Sequence, residues 1–232
     1  MRGGRGGGFG VGPKGALLAG LTMMLAACAA SGPSSAGGRQ PAARAEPSQV
    51  IAAELALART ARDKGEWTAF AEHAAPEAVM FVPERVEARA WLRRQQNPAE
   101  PVRRQPHGVW SSCDGSAAVT HGVWQRPDGS AGWFSTVWEH QRRGDYRWVL
   151  DVGGPLDRPL EAPEMIASTN ASCASRPEPA PAGQPDHEGR SRDRTLQWSV
   201  NDSGPTPALL VRLWNGEAMV PSDVPAGAPP RS

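Results

Sequence analysis

The 232-residue sequence lacks the features of several large functional classes. It has only two lysines beside 23 arginines, and no segment is basic enough to follow a phosphate backbone, so nucleic-acid binding is not expected. The longest apolar run, Ala16–Ala27, is too short to cross a bilayer as a helix. There is no glycine-rich phosphate loop, no Gly-x-Ser-x-Gly elbow and no dinucleotide fingerprint. The sequence therefore offers no catalytic motif from which to start.

Metal-binding patterns are missing as well. No zinc-like spacing with cysteine, aspartate or a second histidine is found at His73, His107, His140 or His187. No metal site and no cofactor are therefore predicted. What the sequence does contain is 39% hydrophobic residues with nine tryptophans, which is enough for a packed core in a chain of this length.

The first 28 residues have the order of a secretory signal. Basic residues precede the apolar run, which ends in Leu25-Ala26-Ala27-Cys28. This ending resembles the bacterial lipoprotein box, and the resemblance implies a mature chain that begins at Cys28 with an acylated thiol. The alternative is an ordinary signal cleaved after an Ala-x-Ala site, with Cys28 incidental.

The segment after Cys28 is predicted to be a disordered tether. Residues 29–47 are rich in Gly, Ser, Pro and Ala and have no apolar periodicity. Ala29 stands where an Asp, in enterobacterial lipoproteins, signals retention in the inner membrane, so the resemblance favours the outer membrane. We therefore expect a protein of the cell envelope, anchored by lipid on the periplasmic side.

The two other cysteines are predicted to form a disulfide. Once Cys28 is assigned to the lipid, Cys113 and Cys173 remain, and an oxidising compartment favours their pairing. Two unpaired thiols are the alternative. Neither cysteine has the surroundings of a recognisable nucleophile.

Residues 48–95 have mainly helical periodicity. The positions Ile51, Leu55, Ala58 and Arg62, with Leu57 and Ala61 beside them, are predicted to place an apolar stripe along one side of a first helix, capped by Ser48. The predicted elements are a first helix from Ser48 to Gly65, a second from Glu66 to Ala74, a strand from Ala78 to Pro83 and a third helix from Glu87 to Gln95.

A four-stranded antiparallel meander is predicted from Val102 to Gly154. Short apolar segments alternate there with three turn signals, at residues 113–116, 126–130 and 142–145. Helices followed by a meander indicate an α+β fold, in which the three helices cover one face of a curved antiparallel sheet.

The segment from about Val50 to Gly154 resembles the SnoaL-like, nuclear-transport-factor-two-like cone. The resemblance is carried by the long first helix, by Gly65-Glu66-Trp67 leading into residues 75–83, and by the strand sequences at 136–139 and 146–151. It implies a six-stranded curved sheet with a pocket between sheet and helices. Members of the family include ketosteroid isomerase, polyketide cyclases and many non-catalytic modules, so the fold follows better than the function.

Turn geometry predicts which residues face this pocket. A type I turn with a bulge at 127–129 pairs Thr120 with Thr136, and a two-residue turn at 143–144 pairs Thr136 with Asp151 and Trp138 with Val149. The ligand-pocket candidates are therefore Thr120, Trp124, Phe134, Thr136, Trp138 and Asp151. The opposite face is assigned to packing and carries Val119, His121, Val123, Trp133, Ser135, Val137, Trp148, Leu150 and Val152.

Asp151 admits three interpretations. It is the one carboxylate of an aromatic-walled patch, as in many small-molecule sites. It would act as a general base if desolvation raised its pKa, or it would bond both threonine hydroxyls and close a polar seam. The main hypothesis is a non-catalytic module that binds an apolar small molecule or an envelope protein. The alternative is an enzyme like ketosteroid isomerase or polyketide cyclase that uses Asp151 as the base; a homodimer is compatible with either.

The last third of the chain is predicted to be an appendage. Residues 155–194 form a proline-rich linker and polar loop, and residues 195–225 a small β-hairpin unit with a strong turn signal at Asn215-Gly216. Three short strands make too small a core to stand alone, so we expect them to pack on the cone. A free module for binding a partner is the alternative.

Overall fold

The computed structural model describes residues 44–142, 144–158, 161–178, 188–204 and 206–224. The predicted signal peptide, Cys28 and most of the predicted tether lie outside the described residues, as does the middle of the polar loop. The mixed α+β class is confirmed.

The helices are α1 Pro47–Lys64, α2 Glu66–His73 and α3 Ala88–Leu92. The strands are β1 Ala74–Phe81, β2 Arg85–Glu87, β3 Arg103–Ser111, β4 Ala117–Gln125, β5 Ala131–His140, β6 Tyr146–Leu156, β7 Ala167–Asn170, β8 Glu188–Arg190, β9 Leu196–Asn201, β10 Ala208–Trp214 and β11 Met219–Pro221.

The strands form two sheets. Seven strands lie in the order β2-β1-β6-β5-β4-β3-β7, and four lie in the order β11-β10-β9-β8. Strands β3 to β6 are the antiparallel meander. β1 and β7 join it in parallel, on β6 and β3 respectively. The first sheet is therefore mixed, not wholly antiparallel as predicted.

The predicted pairs at the centre of the meander are confirmed, although the loop between β5 and β6 differs from the predicted turn. Thr120 pairs with Thr136 and Thr136 with Asp151, as expected. However, the β5–β6 loop closes with the Gln141 amide donating to the Asp145 carbonyl, so it is one residue longer than the two-residue turn predicted. A register shift after Val137 compensates, and Trp138 pairs with Trp148 instead of Val149.

That irregularity corrects the predicted position of Trp148. The predicted pairing puts Trp148 on the packing face with Val137 and Leu150. In the structure Trp148 is fully buried among the residues of α2 and β5 on the helix side, and its indole Nε1 donates to the Phe70 carbonyl. An extra residue in one strand reverses the alternation beyond it, which moved this side chain to the other face.

The two faces of the seven-stranded sheet take part in different cores. One core joins the helices to the sheet and includes Val50, Leu57, Phe70, Trp138 and Trp148. The other joins the two sheets: Val119, Trp133, Val137, Leu150 and Val152 of the first share it with Leu196, Trp198, Val200, Leu209 and Val211 of the second. The first sheet thus buries both faces, and the second sheet covers the side opposite the helices.

The ends of the predicted segments differ in several places. Helix α1 begins at Pro47 without a side-chain cap, so the predicted cap by Ser48 is wrong. The predicted tether, residues 29–47, includes Ala45, whose amide donates to the Cys113 carbonyl at 2.8 Å. The segment 155–194, predicted to be linker and loop, contributes β7 and β8. The Cys113–Cys173 disulfide is confirmed, with Cα atoms 5.3 Å apart.

Candidate functional site

Arg104 is the centre of a buried polar cluster that sequence reasoning missed. It lies on β3, and its side chain is only 5% exposed. Its Nε donates to Glu54 Oε1 at 3.0 Å, and its Nη2 donates to Thr136 Oγ1 at 2.8 Å and to Asp151 Oδ2 at 3.2 Å. One guanidinium therefore ties helix α1 to strands β5 and β6.

Glu54 completes the cluster from the helix side. It lies in the middle of α1, is fully buried, and accepts a second hydrogen bond from Thr120 Oγ1 at 2.8 Å. Thr120 accepts in turn from the indole Nε1 of Trp138 at 3.0 Å. The carboxylate of Glu54 therefore accepts one hydrogen bond from Thr120, which Trp138 orients, and one from Arg104.

The predicted polar row exists, but its bonding differs from the prediction. Thr136 Oγ1 donates to Asp151 Oδ2 at 2.6 Å, whereas the hydroxyl of Thr120 goes to Glu54 and not to Asp151. The suggestion that Asp151 bonds both threonines is therefore wrong for Thr120. Two carboxylates, each with one threonine, share a single arginine.

Two phenylalanine rings support the guanidinium of Arg104. Its Cζ lies 3.7 Å from the centroid of Phe134 and 5.1 Å from that of Phe70. A planar, weakly hydrated guanidinium stacks well on an aromatic face while its edge donates hydrogen bonds. The rings therefore fix the plane in which Arg104 meets its partners.

A cavity of about 360 Å³ opens beside this cluster. Its wall is mostly aromatic and aliphatic with four charged side chains, and it is formed by Glu66, Trp67, Phe70, Met80, Phe81, Val82, Val102, Arg104, Trp124, Arg126, Phe134, Asp151, Gly153, Gly154 and Pro155. An apolar cavity of this size with a few converging polar groups is the usual form of a small-molecule site.

The structure separates the six predicted pocket residues into two groups. Trp124, Phe134 and Asp151 line the cavity. Thr120, Thr136 and Trp138 lie behind it, each at most 1% exposed, and act on the cavity through their hydrogen bonds.

Glu66 brings a second carboxylate to the cavity wall. It occupies the first turn of α2 and is only 4% exposed. Its contacts are long: the Val102 amide lies 3.5 Å and Arg126 Nη1 3.8 Å from Oε2. Burial raises the pKa of Glu66, and the opposing effects of Arg126 and the Val102 amide do not cancel that rise.

The pKa of Asp151 is raised as well. Burial is the main cause, and the charge of Glu54 adds to it, while Arg104 and the hydroxyl of Thr136 act in the opposite direction. For Arg104, burial lowers the pKa, but Glu54 and Asp151 outweigh it and hold the guanidinium charged. The cluster therefore has a fixed cation and a carboxyl group that takes up a proton more readily than usual.

A larger groove of about 1090 Å³ adjoins the cavity and shares Val102, Arg104, Trp124 and Arg126 with it. Most of its other lining residues, such as Arg62, Arg103 and Glu164, are exposed. The smaller cavity is the better candidate because three of its four charged groups, Glu66, Arg104 and Asp151, are at most 13% exposed, and electrostatic contacts with a ligand are stronger there.

The histidine on the opposite face fits a packing role. His121 is 5% exposed, its Nδ1 lies 2.8 Å from Ser135 Oγ, and its ring stacks on Trp133. Burial, with a smaller effect of His107, lowers the pKa of His121 to about 4. It therefore stays neutral near pH 7.

Neither metal binding nor a membrane span emerges from the described part of the chain. Within the ranges described above, no group of three or more His, Cys, Asp and Glu side chains is arranged to hold a metal ion. Among the helices of those same ranges, none has the length and apolar character that crossing a membrane requires.

Comparison with protein-family models finds no match, and comparison with curated proteins finds none either. The solved structures that are similar to this chain include three that cover about half of it. A candidate ketosteroid isomerase from Parabacteroides distasonis has a TM-score of 0.38 and 16% identity, covering 48% of this chain and 88% of that one. A candidate aromatic ring hydroxylase from Novosphingobium aromaticivorans has a TM-score of 0.35 and 12% identity, covering 50% and 91%.

The third is a conserved protein from Planctomyces limnophilus, with a TM-score of 0.34 and 8% identity, covering 47% of this chain and 95% of that one. A ketosteroid isomerase-like structure is therefore among the neighbours. Likenesses of this strength say nothing about the activity of this chain.

Proposed function

We propose that this protein is a lipoprotein of the cell envelope whose α+β domain, residues 48–154, binds a small molecule without transforming it. The anchor is the thiol of Cys28, on the periplasmic side and by preference in the outer membrane. The lipoprotein-like sequence Leu25-Ala26-Ala27-Cys28 supports the anchor, and the Cys113–Cys173 disulfide supports an oxidising compartment. The domain is proposed to be of the SnoaL-like cone type, with residues 195–225 as its β appendage.

The observation that carries the binding function is the aromatic-walled cavity with Asp151 and Arg104 in its wall. Pre-formed, largely apolar cavities with a few fixed polar groups are suited to hold one compact ligand. Asp151 is held by two donors on Oδ2, and one of them is a buried arginine. These two donors fix the carboxylate in place, as a binding site requires. Arg104 opposes protonation of Asp151, although burial keeps the pKa of Asp151 above its usual value.

Native mass spectrometry tests the binding function. The full chain, extracted from its own membrane in mild detergent, is expected to carry a bound small molecule. Filling the cavity by Val82→Trp is expected to remove that molecule, because Val82 lines the cavity. Val86→Trp is the matched control, since Val86 is also a partly buried valine packed on the helix-side core but does not line the cavity. Retention of the molecule by Val82→Trp would contradict the proposal.

A second candidate function is base catalysis by Asp151 in an isomerase- or cyclase-like enzyme. It is favoured by the raised pKa of Asp151 and by the position of this residue in the cavity wall. A general base would exchange an acidic C–H of a bound ketone with solvent deuterium, and Asp151→Asn would abolish the exchange. A binding module would retain its ligand without any such exchange.

A further inference from the structure

The charges around the cavity do not balance. Three carboxylates, the buried Glu54 and Glu66 and the part-buried Asp151, face two guanidinium groups, Arg104 and Arg126. The formal sum is one negative charge. Arg126 is also 34% exposed, so water screens its charge more than that of the buried carboxylates. The interior of the site therefore has an excess of negative charge.

Each of the two carboxylates in the cavity wall has an oxygen available to a ligand. Asp151 uses Oδ2 for both of its hydrogen bonds. Glu66 uses Oε2 for its two long contacts, at 3.5 and 3.8 Å. Within the described residues, neither Asp151 Oδ1 nor Glu66 Oε1 accepts a hydrogen bond. Glu66 is therefore a nearly buried acid, 4% exposed, that lacks a close donor and lies in the wall of a cavity.

Buried carboxylates without full compensation are costly unless a proton or a cation neutralises them. Glu54 has its compensation in Arg104 and Thr120 at 3.0 Å or less. Asp151 has Arg104 at 3.2 Å and Thr136 at 2.6 Å, but both contact Oδ2 and leave Oδ1 without a donor among the described residues. Glu66 has least, since it meets Arg126 only at 3.8 Å. A cation with several N–H donors, bound between Asp151 and Glu66, would supply the positive charge and the hydrogen bonds that these two carboxylates lack.

The rest of the wall suits an apolar body. Trp67, Phe70, Phe81 and Phe134 line the cavity beside the carboxylates. The volume of about 360 Å³ is at the lower end of ligand sites, which fits a compact molecule. Aromatic faces also attract cations, which strengthens the preference for a positively charged ligand over a neutral one of the same shape.

Resting on the proposed binding function, we propose that the ligand is a compact amphiphilic amine, whose ammonium group donates to Asp151 and Glu66 while its apolar ring or chain lies against the aromatic wall. An anionic ligand would add to the excess negative charge. A neutral ligand would leave one carboxylate without a cation. The site is therefore expected to discriminate among ligands mainly by their charge, with a preference for cations, and less by their shape.

Calorimetric titration of the full chain in mild detergent at pH 7 tests the charge preference with three molecules that share one ring: phenethylamine, phenethyl alcohol and hydrocinnamate. The amine is expected to bind at least about tenfold more tightly than the alcohol, and the acid most weakly. Equal or tighter binding of the alcohol or the acid would overturn the cation class and leave the binding function intact. Failure of all three to bind would overturn the compact amine, and the binding function would fail with it only if no co-purified molecule were found.

Two variants test whether the preference for the amine comes from Asp151 and Glu66. Asp151→Asn and Glu66→Gln are each expected to reduce amine affinity by about tenfold and to leave the affinity for the alcohol nearly unchanged. Glu139→Gln is the control, because Glu139 is a part-buried acid on β5 that does not line the cavity. Glu66→Gln breaks no contact shorter than 3.5 Å, so it remains informative if Asp151→Asn does not fold. Unchanged amine affinity in Glu66→Gln would contradict the proposal.

Discussion

At the scale of single residues, the Glu54–Arg104–Asp151 cluster connects helix α1 to the sheet. Its middle member holds two acids that come from α1 and β6, elements far apart in the chain. A buried charge network of this kind adds little stability by itself, yet the loss of one member leaves the others uncompensated. The cluster therefore specifies how the helix lies on the sheet more than it strengthens the fold.

Replacing the arginine tests this view. Arg104→Met keeps much of the apolar length of the side chain but leaves Glu54 and Asp151 facing each other without a cation. The expected loss is about 3–5 kcal/mol in the free energy of unfolding by urea. Arg103→Met, at an exposed position on the same strand, is expected to change it by less than about 0.5 kcal/mol. Equal effects would mean that the cluster is not buried as described.

The pH dependence of stability follows from the direction of the pKa shifts. Because the pKa of Asp151 is raised above 3.8 by burial, the folded protein binds more protons than the unfolded chain just above that pH. Stability should therefore fall as pH rises through the folded pKa of Asp151. Asp151→Asn should make this fall smaller, and the part that comes from the raised pKa of Glu66 should remain.

Asp128 provides a comparison of opposite sign. Hydrogen bonds from the hydroxyl and amide of Ser130 lower its pKa, so its contribution is lost as pH falls. Asp128→Asn should leave the fall with rising pH in place. Urea unfolding from pH 4 to 7 makes the comparison, and an unaltered profile in Asp151→Asn would contradict the assignment to Asp151.

Leu55 is predicted to be a buried residue of α1, whereas the buried residue is its neighbour Glu54. The predicted stripe of α1 has Ile51, Leu55, Ala58 and Arg62 at its centre with Leu57 and Ala61 beside them, but Leu55 is 46% exposed. The buried residues are Val50, Glu54, Leu57 and Ala61, at spacings of three and four. Leu57 and Ala61 of this buried stripe belong to the predicted one, but Glu54 does not. A glutamate at helical spacing from them would have indicated a buried partner.

At the scale of elements, local turn chemistry explains what could be predicted. Asp-Gly and Arg-Gly-Asp signals fix the ends of β3 to β6, because residues close in sequence form these reversals. The parallel pairings of β1 with β6 and of β3 with β7 join distant segments, and no local signal announces them. The irregularity beside Val149 also escaped prediction, since it accompanies a β5–β6 loop one residue longer than the predicted two-residue turn.

That irregularity can be tested by two substitutions on β6. Trp148 is fully buried on the helix side, so Trp148→Ala is expected to lower the free energy of unfolding by about 3–5 kcal/mol. Val149 is only partly buried, and Val149→Ala should cost about 1 kcal/mol or less. In a regular strand paired as first predicted, Val149 would lie opposite Trp138 on the helix side, and Val149→Ala would cost about 2 kcal/mol or more. Urea unfolding of both variants measures these costs.

At the scale of the whole molecule, the second sheet contributes to the hydrophobic core that it shares with the first sheet. Its buried strands share an apolar core with the face of the first sheet that is turned away from the helices. The Ser172 amide donates to the Trp214 carbonyl, which joins the segment after β7 to the second sheet. The sequence indicated the hairpin at Asn215-Gly216, whereas β8 lay within a segment too polar to be assigned as a strand.

The disulfide reinforces this arrangement by linking the β3–β4 turn to the segment after β7. It closes a separation of 60 residues, and its removal should destabilise the protein by about 2–5 kcal/mol, because the unfolded chain gains freedom. The double variant Cys113→Ala/Cys173→Ala and the reduced wild-type protein should unfold at the same lower urea concentration. An unchanged midpoint in either one would show that the bond contributes nothing to the fold.

With both faces of the large sheet covered, its ends are where a neighbouring chain could add by backbone pairing. Those ends are β2 and β7, strands of three and four residues. Strands so short offer few unpaired amides to a passing molecule, which protects against edge-to-edge aggregation. For a protein crowded onto a membrane by a lipid anchor, as proposed above, such blunt ends would keep neighbouring copies from polymerising.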